Sequence, residues 1–510
     1  MPEPLRHVPE DSIILGWDFS TGAVKCLAFD VTGKVIAESR FPTDLWTEGG
    51  VSELNLFQLE GQAMASVRAI KEAISDTAFD SSRWITGGIS ATHHTAARMD
   101  HAGNPIRRAI CWNDQTLAEY HAIGLERLGG MKRVREFIGG PWAERYSLSH
   151  LLKDEATLTE QQWKDTVAFA THGTLAAGYL TQNFCNISIS SAASTGMMDL
   201  RTNQWSEEML GALANPQYRE WVWEALPHIY DGNEPHGGIS SYIAYNANLA
   251  DYQRPLIFPT LDDQAAGLIG GGATDAGHVA IILGNSAVVN SSADFIPENT
   301  SLDVMKLNWG PYLWMRCYSN GAQFLDRVVG SKPNWPALEA AAKAVPAGCD
   351  GVSVLPFALS EPSIGVKSPR VEWLPKEPEN IGVKVRASFE ALAYLIALAV
   401  KEHEAAGQTI SRISVSGGIA KSDLMIEILA SVINKPLERL ESDEGPALGA
   451  AVAALAGLES YRRKEAGDME PYTVADAVQQ MVRFKETVQP RAEWVAGYQA
   501  ELAAFQKRIA

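Results

Sequence analysis

Two adjacent carboxylates, Asp262 and Asp263, follow a short apolar run in PTLDDQAAGLIGGG, residues 259–272. The small residues after them read as a helix start. Asp is a favoured N-cap, because its carboxylate accepts from the first unpaired helix N–H groups. One helix does not need two caps. One aspartate can therefore cap while the other faces a cleft as a general base, within hydrogen-bond reach of a substrate hydroxyl. Spacing alone does not say which.

Three turns offer anion or nucleotide chemistry. In GWDFSTGAVK, Asp18 ends an apolar strand and Ser20, Thr21 and Gly22 form the turn. Small residues there leave backbone N–H groups to point at an anion, and hydroxyls add donors. Lys25 can neutralise phosphate charge. Asp18 can hold Mg²⁺ or its water shell, since Mg²⁺ takes few carboxylates and keeps waters and phosphates. A tight hairpin with a solvated lysine would look the same. The second turn, Gly284, Asn285 and Ser286 in GNSAVVN, is of the same kind, and two such turns facing one another would grip a triphosphate. The third is SVSGGIAKSD, where Gly417 and Gly418 join a strand to a helix start and permit close backbone approach. It lacks the G-x-x-x-x-G-K-[ST] spacing of a Walker loop, and a plain strand–turn–helix connection remains open.

His93, His94, Trp112, Asn113 and Asp114 mix hydrogen-bonding groups with an apolar face, as a polyol site needs. A metal site at His93-His94 is not expected, because adjacent residues on a strand point to opposite faces.

These residues need elements to position them. Residues 13–17 read as a strand, followed by a turn, a strand, a turn at 32–34 and a third strand. A helix is expected over 56–74 and a buried strand over 85–89. Residues 115–165 read as mostly helical, 167–180 as a strand or helix start leading into a helix, and 187–200 as strand-like. A second round begins near 255. GHVAIILGNSAVVNSSA repeats the layout of the first hairpin. A strand ends at 355–356, a long helix follows over 386–406, a strand over 410–415, and helices over 424–433, 449–457 and 474–509. The chain thus reads as two α/β halves, each opening on a hairpin. The expected domains are 1–254 and 255–510, with the boundary between 248 and 255; two unrelated α/β domains are the alternative.

Bulk properties narrow the function. A chain of 510 residues exceeds one ordinary core. Its 46% hydrophobic and 20% charged content is that of a soluble globular protein. A formal net charge of −18 disfavours nucleic acid and anionic lipid as partners, without excluding a nucleotide held by a local loop and a metal. Five cysteines, none in a C-x-x-C pair, fit a reducing compartment. The longest apolar runs are about half the ~20 residues of a membrane helix. No secretory h-region opens the chain, so a cytoplasmic protein is expected.

Taken together, these stretches resemble the FGGY carbohydrate kinases, over nearly the whole chain. DFSTGAVK looks like the first phosphate motif, LDDQAAGLIGGG like the G-D-[NQ]-x-A-x-x-G segment, and AIILGNSA like the second phosphate motif. SVSGGIAKSD with DEGPALGAAVAA looks like the adenosine motif and the signature after it, and SISSAASTGMMDLRTNQWSEEML is similar to the family's Ser/Ala/Thr-rich hairpin. The resemblance implies two actin-like (ribonuclease H-like) α/β domains with an interdomain cleft. It implies ATP and Mg²⁺ as cofactors, a small sugar as substrate, and admits a homodimer. It puts the general base at Asp263, which precedes Gln264 and the small-residue helix start. Asp262 then stands where the motif usually has Gly, with a turn or cap as its role. Asp18 through Mg²⁺, with Ser20, Thr21, Gly22, Lys25, Gly284, Asn285 and Ser286, would hold phosphates. Gly417, Gly418 and Lys421 would line the adenosine pocket. WNDQ and AERYS are similar to stretches of xylulose kinases, which puts His94, Trp112, Asn113, Arg145, Asp263 and Gln264 around the sugar. Thr92 and Thr95 flank the histidines where the motif has Gln and Gly; Asn285 and Ala287 replace Thr and Gly.

The expected reaction is ATP-dependent phosphorylation of a terminal hydroxyl of a ketopentose, D-xylulose first. Alternatives are another substrate (D-ribulose, L-ribulose, L-xylulose or erythritol), a sugar-binding regulator without turnover, or an assembly protein on the same fold.

Overall fold

The computed structural model describes residues 1–509 except 231, 233, 251, 252, 299 and 331, and omits the side chain of 362. Two seven-stranded sheets organise the chain. Ile13–Phe19 is buried along its whole length and pairs antiparallel with Ala23–Asp30, which pairs with Val35–Pro42. On its other side Ile13–Phe19 runs parallel to Trp84–Ala91, reached through the helix Leu59–Ser75. The second sheet repeats this plan. His278–Leu283, Ala287–Ala293 and Tyr312–Tyr318 form the antiparallel set. Arg412–Ser416 lies parallel to His278–Leu283 and is reached through the helix Ile381–Ala405. Parallel neighbours require a crossover, and both halves use a helix for it. The two halves expected from the paired hairpins therefore share one topology.

Strand pairing carries the first sheet past the division expected at 254/255. Leu256–Ile257 and Leu261–Asp262 both pair with Trp84–Ala91. Two residues of the expected boundary segment, 251 and 252, lie outside the described residues. The helix Asp263–Gly270 leads out of the first sheet. It packs on the helix Gly445–Glu465, which lies against Ile13–Phe19 and Trp84–Ala91. That contact is backbone-close: a Cβ on Gly449 would sit 1.9 Å from the carbonyl oxygen of Ala266, and one on Gly88 would sit 2.0 Å from that of Ala450. The alanine- and glycine-rich sequence of this helix is what allows the approach.

Three expectations are corrected. The span 187–200 is not a strand: Ile189–Ala193 is a short helix capped by Ser188, between two- and three-residue strands. Serine hydroxyls that favour turns also make N-caps, and here the cap wins. The span 474–509 is two helices, Val474–Met481 and Ala492–Ile509, separated by the strand Phe484–Val488, which closes the edge of the second sheet against Leu437–Leu440. Finally, in a five-stranded sheet running Leu45–Glu48, Val51–Leu54, Ala109–Ile110, Ala96–Met99 and Ala168–Thr171, the last strand and the helix His172–Thr181 after it fall on the expected 167–180 span, and the other four strands have no counterpart in the expected elements. Those four are two to four residues long and carry too little periodicity to be seen. No helix among the described residues is long and apolar enough to cross a membrane.

Candidate active site

The carboxylate doublet sits at the N-terminus of the helix Asp263–Gly270, and its members differ. Asp262 is the N-cap: its Oδ1 accepts from the backbone N–H of Gln264 at 3.0 Å and of Ala265 at 2.9 Å. Ser190 Oγ donates to Asp262 Oδ2 at 2.7 Å. Asp263 is the first helical residue. Gln264 Nε2 reaches its Oδ1 at 3.4 Å. Burial, then the charge of Asp262, then that of Asp18, push the Asp263 carboxyl well above the usual carboxylate range. Asp18, at the end of the strand Ile13–Phe19, thus acts on Asp263 at the start of a helix far along the chain.

Asp18 is buried at the end of its strand, opposite Lys25 in the hairpin and Ser90 in the parallel neighbour. Ser90 Oγ donates to it at 3.3 Å. Burial raises its carboxyl to about 6, against the pull of Lys25. Lys25 itself is shared: its Nζ donates to Glu444 Oε2 at 3.0 Å. In the turn, Ser20 spends its N–H and its hydroxyl on the carbonyl of Ala23, at 3.0 and 2.9 Å. Thr21 is half-buried and Gly22 is exposed, with nothing within 4 Å of where a Cβ would be.

The other two turns meet at one end of the second sheet. Gly284 N–H donates to the Ser286 carbonyl at 3.0 Å, and the Gly284 carbonyl accepts from Ala322 N–H at 2.9 Å. Asn285 is exposed. Gly417 has φ +97°, and a Cβ on it would lie 2.4 Å from the carbonyl oxygen of Leu283. The Gly417-Gly418 turn is thus seated on the strand end that feeds Gly284. Gly418 and Lys421 are exposed, and Lys421 Nζ pairs with Asp443 at 2.6 Å. The thiol of Cys317 interacts with the Ser286 hydroxyl and with the charges of Arg145 and Asp263, which brings this end of the second sheet up to the doublet.

The histidines do not lie on a strand. The strand ends at Ala91, and His94 has φ +60°. His93 and His94 therefore stack on each other, centroids 3.7 Å apart, rather than pointing to opposite faces. His94 also stacks on Tyr146 at 4.3 Å. Its Nδ1 lies 2.6 Å from the Ser194 carbonyl oxygen, so the ring carries its proton there. His93 Nδ1 is 3.6 Å from Asp262 Oδ1, and burial pushes this ring down to about 4 against the pull of Asp262. His93 is thus neutral at pH 7. Arg145 lies near both histidines and forms an ion pair with Asp303, from the edge strand Asp303–Lys306 of the second sheet. Gln264 accepts from Asn290 Nδ2 at 3.0 Å, again across to the second sheet. Trp112 is half-buried and Asn113 exposed, on a turn whose Cys111 thiol interacts with Thr95. Asp114 is structural: Lys153 Nζ donates to it at 2.8 Å, and Thr116 and the Ser52 N–H also bond it.

Ser190, Asp303, Gly321 and Glu444 were not singled out from sequence. Gly321 packs so tightly on the second turn that a Cβ would be 2.5 Å from the Gly284 carbonyl oxygen. Each acts through a long-range contact, which a local pattern does not carry.

Residues 13–270 match the N-terminal domain of the FGGY family of carbohydrate kinases, and residues 329–458 match its C-terminal domain. The chain belongs to the FGGY family of carbohydrate kinases. It is an ATP-dependent sugar kinase. The xylulose kinase of Bacillus subtilis (strain 168) is 22% identical to this FGGY kinase over 504 residues, covering 95% of this chain and 94% of that one. The glycerol kinase of Paraburkholderia xenovorans (strain LB400) is 25% identical over 485 residues, covering 90% and 92%. The ligand-bound xylulose kinase from Lactobacillus acidophilus superposes with a TM-score of 0.83 at 17% identity, covering 98% of this chain and 97% of that one, a likeness of fold.

Proposed function

We propose that this kinase transfers the γ-phosphoryl group of ATP to a terminal hydroxyl of a ketopentose, D-xylulose first. The observation that carries the reading is Asp263: a carboxylate at a helix N-terminus beside Asp262 and His93, its proton affinity raised by burial and by the charges of Asp262 and Asp18. Phosphoryl transfer needs an in-line oxygen, a held γ-phosphate and charge neutralisation. The substrate hydroxyl oxygen attacks phosphorus, its proton passes to the Asp263 carboxylate, the bond from the γ-phosphorus to the bridging oxygen breaks, and ADP leaves. A carboxyl whose proton affinity is raised above the usual carboxylate range takes up a proton more readily, as a general base must.

The Ser20–Gly22 and Gly284–Ser286 turns are assigned to the phosphates, and Gly417, Gly418 and Lys421 to the adenosine end. Lys25 would reach phosphate by exchanging it for Glu444. Asp18 fits a Mg²⁺ partner: it is a buried carboxylate whose neighbouring cation Lys25 is shared with Glu444. Bound there, through water, Mg²⁺ would supply neutralisation of phosphate charge. His94 Nε2, Arg145, Trp112, Asn113 and Gln264 are assigned to the sugar. The names of several relatives support xylulose, while the glycerol kinase relative keeps smaller polyols as a second reading.

A coupled ADP-release screen over D-xylulose, D-ribulose, L-ribulose, L-xylulose, erythritol and glycerol tests this. D-xylulose is expected to give the highest kcat/KM. A higher value on another substrate would replace it, and no sugar-dependent ADP release would remove the reading.

A further inference from the structure

We propose that His93, Asp262 and Asp263 form a site for one divalent transition cation of the zinc class, and that filling it withdraws the Asp263 carboxylate from substrate. One ligand atom from each residue lies within 4.8 Å of the others. A common centre is then at most about 2.8 Å from each, at most about 0.6–0.8 Å of closure from the ~2.0–2.2 Å of zinc–nitrogen and zinc–oxygen bonds.

His93 supplies the independent observation. It is 5% exposed, and neither ring nitrogen has a hydrogen-bond partner among the described residues. Buried polar groups are ordinarily paired, so a buried imidazole beside two carboxylates with neither nitrogen hydrogen-bonded is placed to act as a metal ligand. The carboxylates match it. Among the described residues, neither aspartate forms an ion pair with Lys or Arg, and nearby Arg145 is paired with Asp303. The Asp262 carboxylate accepts two helix N–H groups and one hydroxyl, three of its about four acceptor sites, and keeps one for a metal. One imidazole nitrogen with two carboxylate oxygens selects zinc-class ions over Mg²⁺, which prefers oxygen alone. Asp262 stands where the phosphotransfer motif usually has Gly, so this ligand set belongs to the chain itself.

The site does not depend on the kinase reading. Its consequence does: an ion on Asp263 occupies the place of the substrate hydroxyl, so inhibition should be competitive with sugar at saturating Mg-ATP.

The test is calorimetric titration of the metal-free enzyme with Zn²⁺, with Co²⁺ absorption as a spectroscopic reporter. One site is expected. His93→Gln should weaken Zn²⁺ at least about 100-fold, and Asp262→Asn, which keeps the cap acceptor, at least about 10-fold. Zn²⁺ sensitivity of turnover, taken relative to each variant's own zinc-free rate, should fall in step. No binding to the native enzyme, or equal affinity in both variants, overturns the site. Binding that follows the variants while Zn²⁺ leaves native turnover unchanged keeps the site and overturns Asp263 as the base.

Discussion

Replacing Asp262 by alanine and by asparagine separates its structural work from its charge. Alanine removes the acceptor for two helix N–H groups, at 3.0 and 2.9 Å, and the acceptor for the Ser190 hydroxyl at 2.7 Å. Losing an Asp cap costs about 1 kcal/mol, within a range of about 0.5–2. Leaving a buried hydroxyl without its acceptor costs about 1–3 kcal/mol. Both substitutions also remove the negative charge beside Asp263, which stabilises each of them equally. Asparagine keeps an oxygen for the helix N–H groups, but its amide donates and cannot accept from Ser190, so both variants leave that hydroxyl without its acceptor. The difference between the two variants therefore isolates the cap, at about 0.5–2 kcal/mol in favour of asparagine. With an unfolding entropy of about 2.1 cal/mol/K per residue, and about 250 residues unfolding as a unit, this is ~1–4 °C in Tm. Thermal unfolding followed by circular dichroism reads it directly. Alanine and asparagine variants melting within about 0.5 °C of each other would refute the assignment of Asp262 as a cap.

Other outcomes follow from the same geometry. The charge of Asp262 raises the proton affinity of Asp263, and the base must be ionised to act, so Asp262→Asn should move the acidic limb of the kcat/KM–pH profile to lower pH; a shift upward would mean that another group titrates. Asp303→Asn breaks the ion pair that holds Arg145 and should raise the KM for sugar about 10-fold, with the KM for ATP within about twofold; equal effects on both would argue for general disruption. Gly417→Ala forces a side chain into φ +97° and against the Leu283 carbonyl, so it should destabilise the protein by about 1–3 kcal/mol and raise the KM for ATP selectively, as initial-rate kinetics would read.

The parts of this molecule that were legible from sequence are those whose determinants are local. The Ser20–Gly22, Gly284–Ser286 and Gly417-Gly418 turns each join predicted elements at the predicted place. The doublet announced a helix start, and spacing left its two members equivalent; the cap geometry is what tells them apart. The duplicated hairpins announced two similar sheets. What stayed hidden depends on distance in sequence or on one backbone angle. Asp303 meets Arg145 from a strand more than 150 residues away, so no pattern near AERYS signals it. The stacking of His93 on His94 hangs on a left-handed φ at His94, a conformation uncommon for a non-glycine residue. The first sheet keeps recruiting strands through Asp262 because parallel pairing is set by tertiary packing, not by the run of residues near 255.

The most direct measurement of the central claim is turnover of Asp263→Asn under saturating Mg-ATP and sugar, with unfolding monitored in parallel. Asparagine keeps the shape but cannot take a proton. The account predicts a kcat lower by about 10²–10⁴-fold. It also predicts near-native KM values and a Tm no lower than that of the native enzyme, since one of two neighbouring charges is gone. A folded Asp263→Asn variant retaining kcat within about tenfold of native would contradict the assignment of Asp263 as the base.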